Sequence, residues 1–79
     1  MTDLSFADHG ATWLMHSNTA AGAEWIDKYI PKNAPTFGKA IVIACRYAPG
    51  VVKLAFGDGL KIAVNGQAIK QVIVHRYQH

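Results

Sequence analysis

Four histidines and one cysteine are the nitrogen and sulfur side chains of this chain that could bind a metal ion. Protein metal sites need clustered ligands at characteristic spacings. His75 and His79 are four residues apart, which would place them together on a helix, but the segment that holds them is predicted as a strand and a chain end. A turn and a strand separate His9 from His16. We therefore expect no metal site.

Nucleophilic and acid–base catalysis are also not indicated by the sequence. Cys45 is predicted to end a buried strand, and apolar surroundings keep a thiol protonated and unreactive. Ser5 and Ser17 lack the sequence contexts that activate a serine. Glu24 and Asp27 lie one helical turn apart on the predicted solvent side of a helix. We expect a protein that is not an enzyme.

A glycine-rich stretch, Gly57-Asp58-Gly59, could suggest a phosphate-binding loop. Such loops precede a helix, so that the helix N-terminus faces the phosphate. Here the glycines follow a predicted helix, where a left-handed glycine is typical of a C-cap. We therefore expect no cofactor.

Charge divides the chain into two parts. Residues 1–27 hold four acidic residues and no Lys or Arg, a formal −4, whereas residues 28–79 hold eight basic residues against Asp58, a formal +7. Such asymmetry is typical of a protein with an anionic or acidic partner, but the basic residues form no run, and spaced single charges more often serve to keep a small domain in solution. The candidate partner-binding residues are Arg46, Lys53, Lys61, Lys39 and Arg76.

Several basic residues adjoin aromatic ones, which is the composition of single-stranded nucleic-acid sites. The pairs are Lys28 with Tyr29, Arg46 with Tyr47, and Arg76 with Tyr77, and Phe37 lies close to Lys39. However, Tyr29, Phe37 and Tyr47 are predicted to be needed for the core of so small a domain. No helix-turn-helix, RNP or zinc-finger signature is present, and nucleic-acid binding remains an alternative.

The first half of the chain predicts two strands around a helix. Thr12–His16 is rich in large apolar residues and predicts a strand. A helix over 20–29 follows, with Ser17, Asn18 or Thr19 as its N-cap and Pro31 as its terminator. Residues 32–38 predict a loop. The β-branched run Ala40–Cys45 predicts a central strand with both faces covered.

The second half allows two interpretations. Residues 51–56 alternate as in a strand, which would give one helix and a four-stranded antiparallel meander. In the other interpretation Pro49 opens a helix, Val51, Leu54 and Ala55 continue an apolar stripe from Tyr47, and Gly57 or Gly59 forms the C-cap. Leu60–Val64 predicts a strand, Asn65-Gly66 a tight turn, and residues 69–75 a last strand that pairs back.

A resemblance to a known group favours the helix. The chain has His9-Gly10, Trp13-Leu14, Thr19-x-Ala21-x-x-x-Trp25, Phe37-Gly38-x-Ala40-Ile41-Val42-Ile43, Arg46-Tyr47 and Asp58-Gly59-Leu60. Over about residues 6–64 this pattern resembles short proteins encoded by phages, prophages and proteobacterial genomes. The resemblance implies a helix at 48–57 and a strand after Asp58-Gly59-Leu60, and it implies no activity. The predicted fold is therefore α/β (α+β) with β-α-β-α-β order. The tail beyond residue 64 would add one more strand at the C-terminus.

Size and context complete the expectations. A chain of 79 residues forms one domain, residues 1–79, and dimerisation would add buried area to its small core. The N-terminus lacks the features of a signal peptide and one cysteine permits no internal disulfide, so we expect a cytoplasmic protein that does not insert into a membrane. Phages encode many short proteins that bind and block a host protein, anti-CRISPR proteins among them. The expected partner is such a host protein or a second copy of this chain, and a structural or dimerising module is a further alternative.

Overall fold

Residues 1–70 are the part of the chain that the structure, a computed structural model, describes. Its elements in chain order are β1 (Leu4–Asp8), β2 (Thr12–Ser17), α1 (Ala20–Tyr29), β3 (Thr36–Phe37), β4 (Ala40–Ala44), α2 (Ala48–Gly57), β5 (Ile62–Val64) and β6 (Gln67–Ala68). The predicted α+β class is confirmed, and the antiparallel meander is wrong because residues 48–57 are helical. The two-residue strand β3 lies inside the predicted loop, and β1 was not predicted.

The described strands form one mixed sheet in the order β3-β4-β2-β1-β5-β6. Strand β2 pairs antiparallel with β1 on one side and with β4 on the other, and β5 is parallel to β1. Strands β1, β4 and β5 therefore run in the same direction. The carboxyl ends of these three strands lie together at one end of the sheet, and their amino ends lie together at the opposite end.

Helix α1 begins and ends where the sequence predicts. Thr19 is the N-cap, and its Oγ1 accepts a hydrogen bond of 3.1 Å from the Gly22 N–H. Ile30 is extended, with φ −104° and ψ 129°, because the following Pro31 excludes helical geometry at that position. Gly22 and Trp25 are buried against the sheet.

Helix α2 has the predicted bounds but presents a different face to the core. Pro49 lies in its first turn, and Gly59 beyond its end has φ +92°. The buried residues are Ala48, Val52 and Ala55. The predicted stripe of Tyr47, Val51, Leu54 and Ala55 is wrong in part: Ala55 is buried and Val51 packs against the core, but Tyr47 and Leu54 are exposed.

The core lies on one face of the sheet. The buried cluster joins strand residues to residues of both helices and consists of Leu4, Phe6, Met15, Trp25, Ile43, Ala48, Val52, Ala55 and Ile62. The strand residues in this cluster all share one side of the pleat by their register, so α1 and α2 cover the same face.

The second face is not covered by any element of residues 1–70. By register this open face, as we call it, consists of Ser5, Ala7, Thr12, Leu14, His16, Phe37, Ala40, Val42, Ala44, Ala63 and Ala68. The prediction that the Ala40–Cys45 strand is covered on both faces is therefore wrong. The apolar run Ala40–Cys45 suggested two covered faces because its members on the open face are mostly alanines. Neighbouring side chains on the same face shield these alanines without a second layer.

Three aromatic residues that were predicted to build the core are exposed. Tyr29 is 43%, Phe37 is 71% and Tyr47 is 62% exposed. Their contribution is unnecessary because Leu4 and Phe6, together with other large strand residues, fill the space under the helices. The exposed aromatics are consequently available for other contacts.

Cys45 is exposed, which contradicts its predicted burial. Strand β4 ends at Ala44, and Cys45 begins the turn into α2, where its N–H donates to the carbonyl of Ala11 at 2.9 Å. The backbone is tied to the neighbouring hairpin while the side chain leaves the core.

The returning strand of the C-terminal hairpin begins closer to the turn in sequence than predicted. The Asn65-Gly66 turn is present, but the returning strand begins at Gln67, which pairs with Val64. A two-residue turn places its flanking residues directly opposite each other, so no intervening residues are left unpaired. The remainder of the predicted last strand, with His75, Arg76, Tyr77 and His79, lies outside the described residues.

Candidate functional site

The structure distributes the predicted partner-binding residues over the molecule. Arg46 precedes α2, Lys53 lies within it, and Lys61 follows it. A helix of ten residues is about 15 Å long, so Arg46 and Lys61 lie at opposite ends of the helical layer. Lys39 begins β4 at the end of that strand opposite to Arg46, and Arg76 lies outside the described part. Arg46 and Lys53 are the two candidates that share one helix surface.

The solvent side of α2 carries an exposed stripe of apolar and small residues. Tyr47, Gly50, Leu54 and Gly57 follow one another at spacings of three, four and three, which places them on one face of the helix. Tyr47 is 62% and Leu54 is 49% exposed. We refer to these four residues as the α2 stripe.

Two basic side chains flank the α2 stripe. The Arg46 guanidinium carbon lies 5.3 Å from the centroid of the Tyr47 ring, and Lys53 precedes Leu54 on the exposed surface. Within residues 1–70 no carboxylate forms an ion pair with either cation. The surface therefore combines apolar contact area with two cations that form no ion pair within the described residues.

The glycines of the α2 stripe leave a shallow groove. A methyl group added at Gly50 or Gly57 would meet nothing within 4 Å, and neither glycine has a positive φ. Glycine inside a helix costs about 0.5–1 kcal/mol relative to alanine. The groove measures about 390 Å³, and Lys53, Leu54 and Asp58 also line it. Neither packing within the described chain nor backbone geometry requires these glycines.

The solvent side of α1 differs in kind. It carries Glu24, Asp27 and Lys28, and Asp27 forms an exposed ion pair of 3.4 Å with Lys32. A surface with mixed charges of this sort is the ordinary solvated side of a helix. Nothing on it resembles the α2 stripe.

The motif residues Trp25 and Asp58 form a structural contact. The Trp25 indole Nε1 donates a hydrogen bond of 2.8 Å to Asp58 Oδ2, which links the middle of α1 to the end of α2. The Tyr29 ring lies 5.0 Å from the Trp25 ring and has Lys28 Nζ above it at 5.3 Å. Since Tyr47 lies at the start of α2, the two cation–aromatic pairs are at opposite ends of the helical layer and form no continuous stacking surface.

Asp3 makes a second set of structural contacts, and these join the start of β5 to the start of α1. Its Oδ2 accepts from the Lys61 N–H at 2.9 Å, and its Oδ1 accepts from Thr19 Oγ1 at 2.6 Å. These two hydrogen bonds, that from Lys61 first, hold the pKa of the Asp3 carboxyl below its ordinary value of 3.8. The carboxylate is engaged with the backbone and is a poor candidate for proton transfer.

The remaining motif residues also position the backbone. At His9-Gly10, the Gly10 N–H donates to Asp8 Oδ1 at 2.8 Å, and Gly10 has φ +88°. The Asp8 N–H in turn donates to Asn65 Oδ1 at 2.9 Å. These contacts fasten the β1–β2 hairpin to the β5–β6 turn. The His9 N–H donates to the Thr12 carbonyl at 2.9 Å and closes that hairpin, while the residue is exposed.

Ligand clusters and membrane spans are not found in the described residues. Among residues 1–70 no group of three His, Cys, Asp or Glu side chains is placed to hold a metal ion. Neither helix in this range is long and apolar enough to cross a bilayer. The surface that stands out is therefore the α2 stripe with its two cations.

Sequence reasoning identified Arg46 and Lys53 but missed Tyr47 and Leu54, because it assigned both to the core. The spacing of Tyr47, Gly50, Leu54 and Gly57 at three, four and three residues was the available signal, since it places all four on one helix face. No protein-family model, no curated protein and no solved structure matches this chain.

Proposed function

We propose that this chain is a non-enzymatic accessory protein of the phage or prophage type that binds an acidic host protein through the α2 stripe. The observation that carries the proposal is the exposure of Tyr47 and Leu54 beside Arg46 and Lys53 on one helix face. The protein acts in the bacterial cytoplasm, where such partners reside.

Apolar contact supplies the affinity in this proposal. Covering the exposed half of Leu54 contributes about 1 kcal/mol, and Tyr47 offers a larger area at low entropy cost. The glycines of the α2 stripe allow close approach, so that an apolar side chain of the partner can enter the groove. Aromatic and arginine residues are the types enriched at energetically important interface positions.

In this proposal the positive charges of Arg46 and Lys53 determine which partner binds. Arg46 and Lys53 would pair with carboxylates of the partner at the rim of the contact and speed association with an acidic surface. A partner with a basic surface would be repelled, because the chain carries a net charge of +3. An acidic helix or loop with one projecting apolar side chain fits both requirements.

Inhibition of a bacterial defence system such as CRISPR is the specific role that we propose within this class. A small protein that covers a functional surface of a host nuclease complex needs a rigid binding face and no catalytic residues. If it is produced in a bacterium with active CRISPR immunity, a targeted phage should plate at an efficiency raised by several orders of magnitude. Unchanged plating would contradict the CRISPR role and leave host-protein binding as the function.

Site-specific photo-crosslinking in bacterial cells tests the binding surface. A photoreactive amino acid at Leu54 should give a discrete crosslinked protein, whereas the same group at exposed Ala23 on α1 should not. Equal products at both positions, or none at Leu54, would contradict the proposal.

Nucleic-acid binding is the second candidate, because Tyr29 and Tyr47 are exposed beside cations. It predicts that the Leu54 probe captures nucleic acid in place of protein. It also predicts an affinity that falls steeply with salt, with a slope set by the number of phosphate contacts. The absence of any binding to single-stranded DNA or RNA at low salt would exclude it.

A further inference from the structure

The open face of the sheet lies opposite the helical layer and is uncovered by residues 1–70. Phe37 at its edge is 71% exposed. Leu14 and Val42 are directly paired across β2 and β4 near its centre and are half-buried. Together with His9 and Thr12 these residues line a shallow, mainly apolar groove of about 370 Å³.

By register the open face holds no Lys, Arg, Asp or Glu; His16 lies on it and His9 lines its groove. This is notable in a chain with eight Lys or Arg and five Asp or Glu residues. A strongly charged partner would find no countercharge there. A second copy of the chain would offer an equally neutral face, so neither copy would bury an unpaired carboxylate, ammonium or guanidinium group.

The shape of the open face is also compatible with packing against a second copy. Ala7, Ala40, Ala44 and Ala63 make most of it flat, whereas Phe37 projects at one side. Two sheets can pack face to face at about 10 Å when their side chains interdigitate. A two-fold axis lying in the plane between the two faces would turn the faces towards each other and place the Phe37 side chain of each copy over the face of the other.

We propose that the open face binds the open face of a second copy in a two-fold symmetric dimer. In this dimer Phe37 of each copy packs on Leu14 and Val42 of the other. The interface uses the side of the sheet opposite to α2, so it is independent of the proposed host-protein contact and leaves two α2 stripes exposed on the outside.

The area of the open face sets the expected affinity. Five adjoining strands of up to six residues span a flat footprint of about 300 Å². Side-chain relief and the rim bring the area buried by two copies towards the about 1,000 Å² that specific interfaces need. We therefore expect a reversible dimer with a dissociation constant in the micromolar range.

Sedimentation velocity of the full-length protein over a concentration series tests this interface. The wild-type chain should shift from monomer to dimer, and added salt should leave the dimer unchanged or strengthen it, because salt screens the repulsion between two chains of charge +3. Phe37→Lys and Val42→Lys should each place like charges in the interface and weaken dimerisation at least about tenfold. The matched control Leu54→Lys, on α2, should dimerise as the wild type does.

Two results would overturn the proposal. One is a wild-type protein that stays monomeric up to about 1 mM, which is far above the expected dissociation constant. The other is dimerisation that survives Phe37→Lys or that Leu54→Lys abolishes. Because Phe37 is largely exposed, its substitution leaves the fold intact, which circular dichroism verifies, and Phe37→Lys decides the question even if Val42→Lys impairs folding.

Discussion

The two helices lie side by side on one sheet, but they are held and used differently. Helix α1 is fixed by polar contacts, from Thr19 to Asp3 at 2.6 Å and from Trp25 to Asp58 at 2.8 Å, and its solvent side is charged. Helix α2 shares the Trp25–Asp58 bond at its C-cap and is otherwise held by apolar packing, and within residues 1–70 its N-cap Tyr47 makes no side-chain capping bond. Its solvent side carries the exposed α2 stripe.

The glycines show most clearly what this difference means. Gly22 of α1 is required, because a methyl group there would lie 2.2 Å from the carbonyl oxygen of Asp3. Gly50 and Gly57 of α2 face open space, so they lower the stability of the helix and no packing contact in the described chain requires them. We infer that α1 is shaped by the fold and that the outer side of α2 is shaped by a partner. The following substitutions test this comparison, from the largest expected effect to the smallest.

Gly22→Ala should be the most damaging change. The contact would be with backbone atoms of Asp3, which cannot rotate away, so the start of α1 must move from the sheet. We expect a loss of at least about 1–3 kcal/mol, seen as a fall in Tm of at least about 5 °C. Thermal unfolding followed by circular dichroism measures it. A variant with the wild-type Tm would show that α1 does not need this close approach.

Asp58→Ala should follow in size. It would leave the indole N–H of the buried Trp25 without its described acceptor, which costs about 1–2 kcal/mol. Chemical denaturation gives the change in the free energy of unfolding. Asp58→Asn is the control, since its amide oxygen can still accept the bond, and it should recover most of the loss. Equal losses in the two variants would mean that charge, and not the hydrogen bond, matters at this position.

Gly50→Ala should have the opposite sign to Gly22→Ala. The added methyl group meets nothing within 4 Å, and alanine favours the helix by about 0.5–1 kcal/mol. A higher urea midpoint than that of the wild type is the expected result. The same substitution should weaken binding of the host partner, because it fills the groove. A destabilised variant would show that Gly50 has a structural task and would remove the contrast between the helices.

Asp3→Asn should give the smallest effect, and one that depends on pH. The folded-state pKa of Asp3 lies below its ordinary 3.8, so its stabilising contribution is present above that value and is lost as the pH falls through the folded pKa. The variant should be less stable than the wild type at neutral pH and equally stable near about pH 2. Urea midpoints measured across this range test it. A gap that persists in acid would assign the effect to the lost shape of the contact and not to its charge.

The sequence was sufficient to predict α1 because local signals agree there. Thr19 as cap and Pro31 as terminator indicate the same bounds as two adjoining stripes at a spacing of four, which are Ala21, Trp25, Tyr29 and Gly22, Ile26, Ile30. Of the first stripe the structure buries only Trp25. The bounds of α2 followed from Pro49, from Gly59 and from the resemblance. Strand β1 was missed, although Leu4 and Phe6 alternate with smaller residues and now form the centre of the core.

The face of α2 that turns to the core could not be predicted from the sequence, because the helix is apolar around most of its circumference. Val51, Val52, Leu54, Ala55 and Phe56 span an arc of about 200° at about 100° per residue, so periodicity does not select which part of that arc faces the core. The choice is made by the strand residues beneath the helix, which are distant in sequence. The candidate site depends on this choice, and for that reason Arg46 and Lys53 were predicted as binding residues but Tyr47 and Leu54 were not.

The most direct test of the α2 surface compares two charge reversals with identical composition. Lys53→Glu on α2 and Lys28→Glu on α1 both lower the net charge from +3 to the same value, and both residues are exposed. Against the partner captured at Leu54, we expect Lys53→Glu to lower the affinity at least about tenfold and Lys28→Glu to leave it within about twofold. Equal losses in the two variants would mean that the partner responds to overall charge, and would contradict a binding site on α2.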